Sequence, residues 1–236
     1  MAAIPIKSRL LPKATHDTPT RILEAAERLF LQHGFAATSM RMITADAEVN
    51  LAAVNYHFGS KDALIEAVLI RRLGPINRQR LGQLDRLESL AEGSPLKLEA
   101  IVEAFIGSAF VNEGSANDGA RVFAQLLGRA YSEPSSNVRD ILYSQNKEVI
   151  KRFKAALKKA LPHLTAEELV WRMHFVFGAI SYTQSGTDAL RLVAKYELSD
   201  GSYPKTVVQR LLPFICAGLQ APASMQAPVV TLIKAS

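Results

Sequence analysis

Between residues 39 and 61 the sequence gathers side chains that can grip a polyanion and read a base: Ser39, Arg41, Asn50, Asn55, Tyr56, His57 and Lys61. Hydroxyl, phenol, imidazole and ammonium groups donate to phosphate oxygens. A carboxamide such as Asn55 carries a donor and an acceptor side by side, and so can pair with adenine in a major groove. Leu51, Ala52 and Ala53 lie among them and are small or apolar enough to approach base edges or thymine methyls. None of this is bond-breaking chemistry. HExxH, P-loop and GxGxxG patterns are absent, and no Cys-His or Ser-His pair has supporting context. The five histidines, at 16, 33, 57, 163 and 174, lack metal-ligand spacing. Cys216 is the single cysteine, which excludes an internal disulfide and a CxxC metal site. The sequence predicts no enzyme, no metal site and no cofactor.

Short helices must position these groups. Residues 1–17 read as a flexible basic arm. Pro19 suits the first turn of a helix. Ile22, Ala25, Ala26, Leu29 and Phe30 then form one apolar stripe, and Gly34 stops it, giving a helix over about 19–33. Thr38 or Ser39 can cap a second helix carrying Met40, Ile43 and Ala47. Asn50 caps a third, LAAVNYHF at 51–58, in which Val54 and Phe58 share one face and should anchor it. Gly59 ends it and Ser60 caps a fourth. Gly74-Pro75 should kink or end that fourth helix, since proline disrupts a helix interior by about 3 kcal/mol. Helical pattern resumes to about Ala91.

Further helices are expected at 95–112, 118–132, 135–161, 165–186, 187–197 and 203–219, separated by Gly/Pro/Ser-rich breaks. Thr165 and Glu168 have capping-box spacing. Nothing alternates long enough for a sheet, so the fold class is all-α: a three-helix head at 18–64, a helical bundle at 65–219, and a disordered tail at 220–236. Hydrophobic residues make up 48% and charged residues 21%, as in soluble globular chains. No apolar run is long enough to span a membrane, and no signal peptide is read, so a cytoplasmic protein without a membrane partner is expected. Residues 1–80 hold 11 Lys/Arg against 7 Asp/Glu, which is +4 of the total +6. That bias toward the head suits a polyanion partner.

The stretch ILEAAERLFLQHGFAATSMRMIT followed by VNLAAVNYHFGSKDAL resembles the DNA-binding head of the TetR family of transcriptional regulators, from Arg21 to Leu64. The resemblance implies an all-α homodimer, with this head in front of a ligand-binding and dimer-forming body. Carried over residue by residue, it implies that Ser39 holds a phosphate and Arg41 touches a base or the backbone. Asn50, Leu51, Ala52, Ala53 and Asn55 would read the groove of a double-stranded operator, while Tyr56, His57 and Lys61 would hold its backbone. Many members have Ala-Gly-Val at the turn between the paired helices, where this chain has Ala47-Glu48-Val49. A left-handed backbone there penalises Glu by roughly 1 kcal/mol relative to Gly. The turn must absorb that or take another shape. Many members also carry Tyr where Asn55 stands, which implies an altered base preference.

The body carries large apolar residues, among them Phe105, Phe110, Phe123, Leu126, Leu127, Tyr131, Trp171, Met173, Phe175 and Phe177. Core packing accounts for any one of them. Together they also suit an apolar pocket with a few polar groups to orient a ligand, and Arg121, Arg129, Arg172 and His174 are the candidates for that handle. The set assigned to a ligand is Phe105, Phe123, Leu127, Tyr131, Trp171, Arg172, His174 and Phe177. For His174, in WRMHFVFGA, a hydrogen-bonded core position is the plainer expectation. The segments RVFAQLLGRAYSEPS, LVWRMHFVFGAISYTQSG and LLPFICAGL resemble TetR-type regulators that sense long-chain fatty acids or acyl-CoA esters, which implies a small hydrophobic effector. Dimerisation is expected at 165–186 and 203–219, through the small residues Gly178, Ala179, Ser181, Ser185 and Gly186 and the apolar Leu211, Leu212, Phe214, Ile215 and Leu219. A helical lipid-binding or scaffold protein would share such a body but has no need of NYHFGSK after a capped turn.

Overall fold

In the computed structural model, residues 17–110, 126, 128, 130, 136–184 and 203–223 are described. Contacts divide the chain into two compact units, Met1–Ala67 and Val68–Ser236. No strand occurs among the described residues.

The first unit is built on α1 (Thr18–His33), α2 (Met40–Asp46), α3 (Leu51–Phe58) and the first turns of α4 (Lys61–Ala91). The stripe on α1 is buried as its spacing requires: Ile22, Ala25, Ala26 and Phe30 have no exposed surface. Gly34, at φ 85°, ends α1, and its N–H donates to the Phe30 carbonyl at 2.9 Å. Phe35 then folds back onto Phe30, ring centroids 5.0 Å apart. Thr38 faces inward, where its hydroxyl reaches the Leu29 and Gly34 carbonyls at 3.1 and 2.8 Å. Ser39 is therefore the residue that caps α2. Ile43, Val54 and Leu64 bring α2, α3 and α4 into the same core. Fully burying each such side chain contributes about 1.5–3 kcal/mol.

α4 runs unbroken through Pro75. The proline was expected to kink or end this helix, and ending is what the packing prevents. Leu73 and Ile76, on either side of it, are 0% and 4% exposed, and Leu84 farther along is fully buried. Burial on that scale offsets the roughly 3 kcal/mol that an internal proline costs.

The second unit packs the later part of α4 with α5 (Leu98–Phe110), α6 (Ser136–Ala160), α7 (Ala166–Gln184) and α8 (Tyr203–Gln220). α5 lies against α6 and α8, and α8 against α7. Phe105, half-buried, packs against this core. Its ring meets Phe153 at 5.0 Å and Phe177 at 5.6 Å, both edge-on. The Arg80 guanidinium lies 4.2 Å from the same ring, and its Nε donates to the Phe105 carbonyl at 2.9 Å. Asn77 extends this polar tie, donating to the Gln145 carbonyl at 2.9 Å. Nearer the surface, Arg152 of α6 donates to Asp85 and Glu88 of α4 at 2.7 and 2.6 Å.

Arg172 has a structural task. It is 7% exposed, and both Nε and Nη2 donate to Glu168 Oε1 at 2.9 and 2.8 Å. Its Nη1 donates to the carbonyls of Gly218, Leu219 and Ala221, and Nη2 to that of Pro222. A guanidinium thus satisfies the carbonyls that α8 leaves open at its C-terminus. Nearby, burial pushes the Cys216 thiol above its ordinary pKa, with the Glu99 charge adding to the shift, so the thiol is poorly reactive. Removing Arg172 takes this partner from the Glu168 carboxylate and the donor from the carbonyls of Gly218, Leu219, Ala221 and Pro222. Arg172→Ala is expected to destabilise the protein by about 3 kcal/mol, measured by urea unfolding with an unchanged m-value.

Candidate nucleic-acid interface

α3 has one side committed to the core and one side free. Val54 is fully buried and Phe58 half-buried, whereas Leu51, Ala52, Asn55, Tyr56 and His57 are exposed and Ala53 is half-buried. Tyr56 is 86% exposed, its ring edge-on to His57 at 5.1 Å. A tyrosine used for packing would not stand in solvent in this way. Leu51, Ala52, Asn55 and Tyr56 follow a helical repeat, so they share the outward face.

The caps fix where that face begins. The Ser39 hydroxyl accepts from the Met42 N–H at 3.2 Å, and the Asn50 carboxamide oxygen accepts from the Ala53 N–H at 2.7 Å. Each cap is worth about 1 kcal/mol. Asn50 is thereby held at the tip of α3 with its amide N–H₂ still available to donate. Gly59 ends the helix at φ 73°. Lys61 donates through Nζ to the Ala36 carbonyl at 3.0 Å, which ties the start of α4 to the α1–α2 loop. Arg41 is exposed one residue into α2. The structure therefore brings Ser39, Arg41, Asn50–Asn55, Tyr56, His57 and Lys61 into one unit, with polar or small groups outward along α3.

The turn keeps the left-handed shape despite its glutamate. Glu48 has φ 52°. Two arginines of α1, one heptad apart, hold this region. Arg21 Nη2 donates to the carbonyls of Ala47 and Glu48, the latter at 2.8 Å. Arg28 pairs with Asp46 at 2.6 Å. Neither arginine is evident from the motif, because their partners lie 26, 27 and 18 residues away.

Of the residues assigned to an effector, five are described: Phe105, Trp171, Arg172, His174 and Phe177. Phe105 and Phe177 line an apolar cavity with Phe153, Leu157, Met173 and Leu219, but its volume is only about 30 Å³. Drug-sized pockets hold about 300–1,000 Å³. Arg172 is occupied as the cap of α8. Trp171 and His174 stand exposed on the outer side of α7, Trp171 stacked near Phe175 at 6.1 Å. His174 is thus at the surface and not in the core position expected for it. Phe123, Leu127 and Tyr131 lie outside the described residues, as do the helix expected at 187–197, the arm at 1–16, residues 224–236 of the tail and all of the helix expected at 118–132 except residues 126, 128 and 130. Among the described residues no group of three His, Cys, Asp or Glu side chains could hold a metal ion. No described helix is long and apolar enough to cross a membrane.

Residues 22–68 match the family described as "Bacterial regulatory proteins, tetR family". Residues 103–218 match "Tetracyclin repressor-like, C-terminal domain". The chain belongs to the TetR family. This is a family of DNA-binding transcriptional regulators and not of enzymes. Among its relatives, the HTH-type transcriptional repressor Rv3405c of Mycobacterium tuberculosis is 46% identical over 61 residues, 26% of this chain and 32% of that protein. The regulator UidR of Escherichia coli is 39% identical over 54 residues, 23% of this chain and 28% of that protein. The likeness to these relatives therefore spans about a third of their length. Over most of the chain the TetR fold is seen in solved structures. The fatty acid degradation regulator FadR from Bacillus halodurans superposes with a TM-score of 0.56 at 15% identity, covering 88% of this chain and 99% of that one. NalD of Pseudomonas aeruginosa, the secondary repressor of the MexAB-OprM multidrug efflux pump, gives 0.55 at 22% identity, covering 85% and 96%.

Proposed function

We propose that this TetR-family chain is a cytoplasmic, homodimeric repressor that reads a palindromic operator with α3 and leaves it when a hydrophobic effector binds. The observation that carries the DNA reading is the outward face of α3, above all Tyr56 at 86% exposure beside Asn55 and His57. Ser39, Tyr56, His57 and Lys61 hold phosphates, and Asn50–Asn55 with Arg41 read bases. Phosphate contacts position the helix and base contacts specify the sequence.

Support for the dimer comes from α7 and α8. Trp171, Phe175, Tyr182 and Phe214 are 53%, 64%, 55% and 70% exposed. A groove of about 280 Å³ is lined by two of them, Phe175 and Phe214, with Ala179, Ile215, Gly218 and Leu219. Exposed aromatics at this density suit an interface, and small residues let helices approach closely. Two-fold symmetry sets two reading helices roughly 34–36 Å apart, one turn of DNA.

An acyl effector draws its support from the wholly apolar lining around Phe105 and from the likeness to a regulator named for fatty acid degradation. A cavity of about 30 Å³ cannot take an acyl chain as it stands. Binding must therefore part α5, α6 and α7, and a ligand that stabilises the parted form shifts the population away from the DNA-competent one.

Affinity for random duplex should fall steeply with salt, because each neutralised phosphate adds about 0.9 to the slope of log K against log salt. Phe175→Asp should sediment as a monomer and lose tight operator binding; a monomeric wild type, or one blind to DNA at low salt, contradicts the proposal. In a panel of fatty acids and acyl-CoAs, at least one should both raise the melting temperature and release the operator in a gel shift. Release by none of them removes the acyl effector.

A further inference from the structure

We infer that Arg21 is a positioning residue for DNA reading: its guanidinium clamps the left-handed turn that aims α3. The inference rests on the DNA-binding reading above. α2 closes with a paired C-terminal motif in which the Val49 N–H donates to the Thr44 carbonyl at 3.0 Å and the Glu48 N–H to the Ala45 carbonyl at 3.3 Å. That motif needs a left-handed residue at the position of Glu48, where glycine is the usual occupant. Glu48 takes the conformation, at φ 52°, against the steric preference of a residue with a Cβ. The motif also leaves the carbonyls of Ala47 and Glu48 pointing beyond the helix end. Arg21 Nη2 donates to both.

The geometry makes the clamp specific. Two adjacent carbonyls converge on one guanidinium nitrogen only while the turn keeps its left-handed residue. Opening the turn costs Arg21 both acceptors. Arg21 is half-buried near the start of α1, whose apolar face anchors the head. It therefore references the turn to the most firmly packed helix of the unit. The Arg28–Asp46 pair, two helical turns farther along α1, is exposed on both sides, and pairs of that kind contribute little. Two residues beyond Glu48, Asn50 starts α3, so a change in the turn re-aims every base-reading side chain together.

The test uses the full chain, a duplex selected from a random library, and a salt titration. Arg21→Ala is expected to weaken binding about tenfold, the loss expected for hydrogen bonds from a charged donor. The slope of log K against log salt should stay as in the wild type, and amide exchange at Val49 should speed up. Glu48→Gly should bind at least as tightly as the wild type, and Arg21→Ala combined with Glu48→Gly should recover most of the loss, because glycine holds the turn without a clamp. If Arg21→Ala does not fold, Arg21→Lys takes its place with the same readouts. Undiminished affinity overturns the inference, as does a failure of Glu48→Gly to rescue. A slope reduced by about one unit also overturns it, since it would make Arg21 a phosphate contact. A wild type that binds no duplex even at low salt sinks the DNA-binding reading itself, and the inference with it.

Discussion

The burial of Val54 decides whether α3 can present anything. An eight-residue helix is too short to persist in water on its own. It forms here because Val54 enters the core of α1 and α2, Asn50 caps its start and Gly59 stops it. Once that side is fixed, the period of the helix leaves Leu51, Ala52, Asn55 and Tyr56 on the other. The outward face is rigid because the inward face is packed, and rigidity is what a base-reading surface requires. Ile43, Phe30 and Leu64 complete the same core, so a loss of packing at any of them would loosen α3 without altering its outward side chains.

The second unit follows a different logic. Phe105 packs against its core, with aromatic neighbours on two sides and Arg80 on a third. The cavity beside that ring holds only about 30 Å³. Its unused apolar surface is outside, on α7 and α8, where Trp171, Phe175 and Phe214 face solvent. For α7 the inner side holds Met173 and Ile180, and the outer side carries the exposed Trp171 and Phe175.

The local features of the head were legible in the sequence. Gly34, Ser39, Asn50, Gly59 and Ser60 act within three or four residues of themselves, and their chemistry alone marks where helices begin and end. The apolar stripe of α1 was equally readable. Interactions across long separations were not. Nothing around Arg21 or Arg172 announces that each will satisfy carbonyls more than 25 residues away. Thr38 and Ser39 look interchangeable as caps until Phe35 turns the chain and carries Thr38 inward. In WRMHFVFGA the apolar residues occupy every side of the helix, so periodicity could not say which side was the core. His174 and Trp171 were consequently placed inside when they are outside. Pro75 shows the same limit in reverse: of the kink or end that it signals locally, the end is overruled by the burial of Leu73 and Ile76.

The central claim is a division of labour on one short helix, with Asn55 reading a base and Tyr56 holding the backbone. It is tested most directly by measuring Asn55→Ala and Tyr56→Phe against a panel of operator variants, each changed at one base pair. The account predicts that Asn55→Ala relaxes the preference at one position per half-site, by about 1–3 kcal/mol of lost discrimination, and leaves the others intact. Tyr56→Phe should weaken binding by a similar factor on every variant. Equal effects of both substitutions across the whole panel would contradict it.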